Sequence, residues 1–316
     1  MNNQLNFWAI GWKNKVLKSE RFLREMNAGV PWKRLAALVE AHYADGRLGR
    51  KPFPLELMLR IYCLQQWFNL SDPAAEEAIY DRNSFQRFLS LDIVGDNVPD
   101  ETTILNFRHG LEKHQLTEAI FAEISAHLTQ KGLTMKTGTI VDATLIAAPS
   151  STKNAAGKRD QQMSSTRIGN QWHFGMKASV GVDAASGLVH NVATTTASVH
   201  DSQVMKEVLH GEEKVILGDK GYANDADKRQ ARARGICWGI LDRAKQGQAL
   251  SGKQQSRNRH WASVRAKVEH PFRVIKCQWG YRKVRYRGLV KNTAQLWSLF
   301  GLANLYMARK KLLALA

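Results

Sequence analysis

The chain has 316 residues, 44% of them apolar and 23% charged. That composition excludes a disordered, collagen-like or disulfide-scaffold protein, and the length allows one large core or two domains. Lys and Arg outnumber Asp and Glu by 46 to 28, a formal net charge of +18. The excess is lopsided. Residues 1–140 hold 17 basic and 16 acidic residues, residues 141–316 hold 29 and 12, and 228–291 alone set 18 basic residues against Asp242 and Glu269. One sign of charge gathered on one half predicts a polyanion-binding surface, nucleic acid first. The plain alternative is a solubilising surface, although such surfaces usually mix both signs.

The opening MNNQLNFWAIGWKNK has no long apolar core of a signal peptide. No apolar run approaches the roughly 18 residues of a membrane span. Cys63, Cys237 and Cys277 are odd in number and far apart, which argues against a disulfide framework or zinc site and suits a reducing cytosol. A cytoplasmic protein without membrane contact is expected.

Residues 1–130 read as a helical amino-terminal domain. The stretch 54–70 is apolar on most sides, as in a buried helix. Residues 71–81 carry a start signal, with Ser71 as cap, Pro73 in the first turn and acids nearby. A further helix over 98–114 has Asp100 as its cap, and a helix-turn-helix-like unit is compatible with these short helices.

Near 137 the pattern changes, and 135–316 reads as a second domain. Residues 139–146 are β-branched and apolar, a strand. Residues 151–170 are polar without period and read as a mobile loop of about 150–170. Two strands follow at 173–183 and 187–198, joined by a short turn. Then come a helix at 201–210, a strand at 215–219, a helix at 225–234, a strand at 237–241, and helices around 260–276 and 291–313. Three successive strands followed by alternating helices and strands predict an α/β fold, a mixed sheet with helices on its faces.

In so basic a half the few acids at strand ends are informative. Asp142 interrupts an apolar strand, which is costly unless the carboxylate is paired or metal-bound. Asp219 closes the strand 215–219, where VILG ends, at the carboxyl end where ligands of open sheets bind. Glu269 is the one acid in the basic helix around 260–276. Each has an ordinary alternative: a strand-edge residue facing water for Asp142, an Asp-Lys-Gly turn for Asp219, and a pair with Arg265 or Arg273 for Glu269. Taken together, three carboxylates within a basic surface suit a two-metal phosphoryl-transfer site, because Mg²⁺ prefers oxygen ligands and substrate phosphate. At about 100° per residue, Arg265, Glu269 and Lys276 fall within about 40° of one helix face. Pro271 lies between them and is expected to kink the helix and turn Lys276 aside.

At these residues the chain resembles a bacterial insertion-sequence DDE transposase, most closely the insertion-sequence-five group within the wider four/five superfamily. The matching pieces are TIVDATLI (139–146), QWHFGMKASVGVD (171–183), TTASVHDS (195–202), VILGDKGY (215–222) and RAKVEHPFRVIK (265–276), with VPDETTILNFRH (98–109) in the helical region. The resemblance covers about 50–310. It implies a ribonuclease H-like mixed sheet flanked by helices, an all-α amino-terminal domain for end binding and dimer contacts, and a catalytic and metal-binding triad at Asp142, Asp219 and Glu269. It also places the Arg and Lys of the family's Tyr-Arg-Glu-Lys signature at Arg265 and Lys276. The signature's Tyr falls at Ala262, leaving Tyr222 or Trp261 as aromatic substitutes.

The implied chemistry is metal-dependent cleavage of DNA strands at the element's ends, followed by transfer of the 3′-hydroxyl into target DNA, with two Mg²⁺ (or Mn²⁺) ions as cofactor. The implied partners are double-stranded DNA, as terminal inverted repeats and target, and a second copy of the chain in a homodimer on DNA at the bacterial nucleoid. Lys177, Lys220, Arg265, Arg273, Lys276, Lys283, Arg285, Arg287 and Lys291 are the expected DNA contacts. If 282–291 is a strand, residues 283, 285 and 287 share one face; the alternative is a solvated edge. His173, His200 and Tyr222 are candidates to line the site, with His200 equally placed as a helix-cap neighbour. Two other readings remain open: a nuclease of the same fold without strand transfer, and a catalytically inactive DNA-binding protein.

Overall fold

The computed structural model describes residues 16–43, 51–92, 94–134, 137–155, 157–244 and 247–315. The opening residues weighed above for a signal peptide lie outside these. Among the described residues no helix is long and apolar enough to cross a membrane.

Among the described residues seven helices come first: α1 (Lys18–Gly29), α2 (Trp32–Glu40), α3 (Leu55–Phe68), α4 (Asp72–Asp81), α5 (Asn83–Leu89), α6 (Glu101–Lys113) and α7 (Leu116–Gln130). Helix α3 buries most of its circumference, as its uniformly apolar sequence requires. It ends at Asn69, whose φ of 52° makes the left-handed cap. The start signals at α4 and α6 are realised, because the Ser71 hydroxyl accepts from Ala74 N at 3.2 Å and the Asp100 carboxylate from Thr103 N at 2.7 Å.

The sheet follows with β1 (Gly138–Ala147), β2 (Ser164–Ile168), β3 (Gln171–Asp183) and β4 (Val189–Thr196), then α8 (Asp201–Val204), β5 (Val215–Gly218), α9 (Asp225–Ala233) and β6 (Cys237–Ile240). Three helices close the chain: α10 (Gly252–Arg265), α11 (Glu269–Arg273) and α12 (Leu289–Ala314). The principal order is β4-β3-β1-β5-β6. Strand β1 is antiparallel to β3, which is antiparallel to β4, while β1, β5 and β6 are parallel. This is a ribonuclease H-like sheet. Strand β2 pairs with the first part of β3, at 171–175, beyond the stretch that β4 occupies.

Three local expectations change. The stretch 151–170 holds strand β2, because β3 runs past the end of β4 and the edge left free there recruits a partner. The same stretch is tied to the start of α12, where the Asp160 carboxylate and the Gln162 amide oxygen accept from Gly288 N and Leu289 N at 2.6 and 2.7 Å. The single helix expected over 201–210 is a four-residue helix followed by a 3₁₀ turn, Met205–Val208. Residues 282–291 are not a strand; their one sheet contact is a bridge from Lys283 to Ala147. Val284 is buried, and Gly288 turns the chain into α12 at φ 87°.

Helix α12 joins the two halves. The Ser298 hydroxyl meets Tyr62 Oη of α3 at 2.8 Å, and the Asn304 amide accepts from Val189 N and donates to Val189 O of β4, at 2.8 and 2.6 Å. One hydrophobic core therefore runs from the first helices through α12 to one face of the sheet. A smaller cluster around Val141, Ile216, Ile240 and Tyr222 covers the other.

A buried cation also links the halves. Arg108 of α6 bonds Asp72 at 2.9 Å and Glu112 at 2.7 Å, with its guanidinium 4.3 Å over the Tyr286 ring. Removing one partner of a buried pair strands the other charges. Arg108→Met is expected to cost about 3–5 kcal/mol in urea unfolding, with Arg108→Lys recovering little because an ammonium lacks the two-pronged geometry. A loss under 1 kcal/mol for Arg108→Met would show that the pair is solvated.

Candidate active site

The candidate site forms where β1, β5 and the run from α10 to α11 meet. The parallel register matches Val141 with Gly218. Asp142 and Asp219 are therefore each one step further along adjacent strands, which run about 4.8 Å apart. Asp219 ends β5, and its carboxylate accepts from Gly221 N at 2.6 Å, capping the short 3₁₀ turn Lys220–Tyr222. The turn reading of Asp219 is thus correct locally, and the same turn fixes the carboxylate at the strand end.

Asp142 is the enclosed member, its side chain 13% exposed. One oxygen accepts from Ala143 N at 2.9 Å and the other from Arg265 Nη2 at 2.7 Å. The same Nη2 lies 3.9 Å from Glu269, whose side chain is 63% exposed at the start of α11. Burial, with the neighbouring Glu269 and Asp219 carboxylates adding to it, pushes Asp142 up to about 6. The pull of Arg265 and the Ala143 N–H is the weaker side of that balance.

The helical run changes pitch twice, from α10 through a 3₁₀ turn at Ala266–Val268 into α11, then into a π turn at Val274–Gln278. Pro271, whose missing N–H is harmless in the first turn of a helix, sits in α11 between the two changes. Lys276 is consequently not turned away. Its Nζ donates to Thr144 Oγ1 and Leu145 O, both at 2.6 Å, and burial lowers its pKa. A cleft of about 660 Å³ results, lined by Asp142, Thr144, Arg265, Glu269, Arg273 and Lys276, among others.

The other expected residues divide into two groups. Lys220, Arg273, Lys283, Arg287 and Lys291 are exposed. Lys177 is committed internally, donating to Val199 O at 2.8 Å and pairing with Asp201 at 2.8 Å. Arg285 reaches back to Leu70 O and Asn69 of the helical half. His200 caps α8, its Nδ1 2.8 Å from Ser202 Oγ, the ordinary reading of that residue. His173 is half-buried in β3 opposite Thr166. Tyr222 is buried with an unpartnered hydroxyl, raised by burial and by the Asp201, Asp142 and Asp219 carboxylates. Trp261 is half-buried against Gly239, so neither aromatic offers a free ring in place of the exposed Ala262. Sequence reasoning missed Thr144, although a residue two positions beyond Asp142 on a strand shares its face.

Family models complete the picture. The description "Transposase DDE domain" matches residues 133–305 and "Transposase domain" matches 12–110. The first alone covers more than half the chain, and the protein belongs to the transposase DDE-domain family, the DNA transposases of insertion sequences. The chain is also similar to the piggyBac transposase in a cryo-EM structure of its synaptic complex with hairpin DNA, at 10% identity and a TM-score of 0.45 over 95% of this chain and 76% of that one. At that distance the likeness bears on neither the site nor its ligands.

The enclosed carboxylate makes a stability prediction. Asp142 titrates near 6 when folded, against an ordinary value of 3.8. Between those values the folded chain holds a proton that the unfolded chain has lost, so stability falls as pH rises through that window and stays low above it. Asp142→Asn carries no charge at any pH. It should be more stable than the parent by on the order of 2 kcal/mol at pH 7.5 in EDTA, the gain vanishing near pH 4. Equal thermal melting at pH 7.5 would mean a hydrated carboxylate.

Proposed function

We propose that this transposase binds the ends of its insertion sequence, cuts DNA strands there with water, and transfers the resulting 3′-hydroxyl ends into target DNA at a single site built on Asp142, Asp219 and Glu269. One observation carries the assignment of the residues: Arg265 Nη2 contacts Asp142 and lies within 3.9 Å of Glu269, while Asp219 ends the adjacent parallel strand. Three residues remote in sequence thus share one neighbourhood, inside the segment that the DDE-domain description matches.

The donor set fits a hard divalent cation. It is all carboxylate oxygen, the ligand type of Mg²⁺ and Mn²⁺, and Asp142, pushed up mainly by burial, has the Glu269 and Asp219 carboxylates as neighbours. Among the described residues no three acidic, His or Cys side chains already stand as a metal cluster. Glu269, exposed at the head of α11, is the side chain free to swing toward Asp142 and Asp219. Two bound ions would supply activation of the attacking oxygen and compensation of charge on the leaving one.

The chain's own residues do the rest. Arg265 lies between two like charges, Asp142 and Glu269, and it lines the cleft, where a phosphate would compete for that contact. Lys276 braces α11 against β1 through Thr144 and Leu145. The exposed cations Arg273, Lys283, Arg287 and Lys291 grip the backbone of the DNA, which carries no sequence information by itself. In-line attack needs no covalent enzyme intermediate, so no nucleophilic Ser or Tyr is assigned. Joining two ends requires two such sites, and the assembly on DNA is a homodimer.

The experiment uses a labelled duplex of the element's end, a supercoiled target plasmid and Mg²⁺. Joined products are expected from the parent chain. Asp219→Asn and Glu269→Gln should each lower cleavage by a factor of 10³ or more, the scale at which a removed electrostatic stabiliser acts, while duplex affinity stays within a few-fold. Cleavage without joining would make the protein a nuclease of this fold, and full cleavage by Asp219→Asn would take that residue out of the site. Affinity should drop steeply with salt; a flat response would contradict the basic surface.

A further inference from the structure

The hairpin of β2 and β3 has no part in the site described above. Its two strands pair from Ser164–Gly175 to Ile168–Gln171 and turn through Gly169-Asn170, with Gly169 at φ 59°. The six residues Arg167 to Trp172 are all exposed. Ile168 is 54% exposed and Trp172 71%, an unusual position for a Trp, which has no ring or cation partner among the described residues. The Arg167 guanidinium bonds Gly169 O at 3.2 Å and Asn170 Oδ1 at 3.3 Å, so it is held in place at the tip.

The surroundings favour a polyanion. Between Asp142 and Asp183 the sequence contains a single acid, Asp160, and that carboxylate is occupied by Gly288 N and Gln162 N. After Glu269 there is no acid at all. The exposed Lys283 borders Ala147 at the end of β1, where β1 meets Gly175 at the base of the hairpin.

Register relates the tip to the cut. Asp142 is opposite Val180, and Trp172 is opposite Arg167. Val180 and Trp172 are eight positions apart on one strand, so their side chains leave the same face. The separation is roughly 26 Å, about eight base steps of DNA. A two-stranded ribbon is one of the elements that the major groove admits, and Arg, Asn and Gln are the side chains that read guanine and adenine edges there, with apolar groups meeting the thymine methyl.

We propose that the β2–β3 hairpin is a sequence-reading DNA contact. It enters the major groove about eight base pairs from the cleavage point, with Arg167 and Trp172, which share one face of the ribbon, toward the base edges and Asn170 at the turn beside them. The proposal rests on the transposase reading and extends it from the cut to the choice of DNA.

The test selects 30-base-pair duplexes from a randomised pool on the full chain, then compares affinity for a selected duplex with affinity for its scrambled version. The parent should prefer the selected duplex. Arg167→Ala and Trp172→Ala should each reduce that preference by roughly tenfold, the discrimination that one good base contact supplies, with no change in melting temperature because both side chains are exposed. In cleavage mapping, the lost preference should fall about eight base pairs from the cut. Unchanged preference in both variants overturns the proposal while leaving the transposase reading intact, as does a parent that binds duplexes without selecting any. A DNA-free dimer that Trp172→Ala dissociates also overturns it, assigning the tip to a second copy of the chain. A parent that binds no duplex overturns both readings.

Discussion

The structure depends on one costly placement: the Asp142 carboxylate within an otherwise apolar strand at the centre of the sheet. Its pairing geometry explains why the placement is tolerated. Strand β1 is flanked by an antiparallel neighbour and a parallel one, so its position is fixed from both edges and the side chain cannot slip to solvent without reversing every residue of the strand. Arg265 is the only cation bonded directly to that carboxylate among the described residues, and it comes from a helix 123 positions away. Folding must therefore deliver α10 to the sheet before the charge on Asp142 is matched. Even then burial outweighs the match, leaving a carboxyl raised to about 6. A group held in that condition is stored electrostatic cost, which fits a site meant to receive positive charge rather than one built for stability.

The run from α10 to α11 converts sequence spacing into site geometry. A uniform α-helix through Pro271 would clash or bend at that residue. Tightening to 3₁₀ before it and widening to a π turn after it keeps the chain helical while shifting the faces of the two ends. Arg265 and Glu269 end up beside Asp142, and Lys276 beside Thr144. Pitch changes of this kind concentrate at functional sites, because the residues there are selected for where they point rather than for helix regularity.

Much of this was legible in the sequence, for identifiable reasons. Strands β1, β3, β4, β5 and β6 carry dense β-branched or apolar runs, and α4 and α6 carry caps whose side-chain chemistry is local. Asp142, Asp219 and Glu269 stood out because acids are scarce in a basic half. What was hidden depends on tertiary partners. Strand β2 has a polar sequence and exists because β3 overhangs β4. The segment 282–288 alternates like a strand, yet Val284 turns inward and Arg285 binds the helical half. The orientation of Lys276 beyond Pro271 is not legible, since a helix wheel cannot represent a change of pitch. Thr144 carries no charge to draw attention, and its role follows only from Lys276 reaching it.

The same distinction corrects the reading of the net charge. A formal +18 suggests a surface uniformly available to phosphate, but several of the cations singled out for DNA are already engaged. Lys177 holds Asp201 and Val199, Arg285 holds Asn69 and Leu70, and Lys276 holds Thr144 and Leu145. Arg257 likewise pairs with Asp242, the other acid of the basic stretch. Of the cations singled out for DNA, those left exposed are Lys220 near Asp219, Arg273 at the cleft, and Lys283, Arg287 and Lys291 along the segment leading into α12. Phosphate binding is governed by the cations that can release counterions on contact, not by formal charge. The charge is therefore divided: the buried and half-buried share fastens parts of the fold to one another, and only the exposed share is open to a counterion.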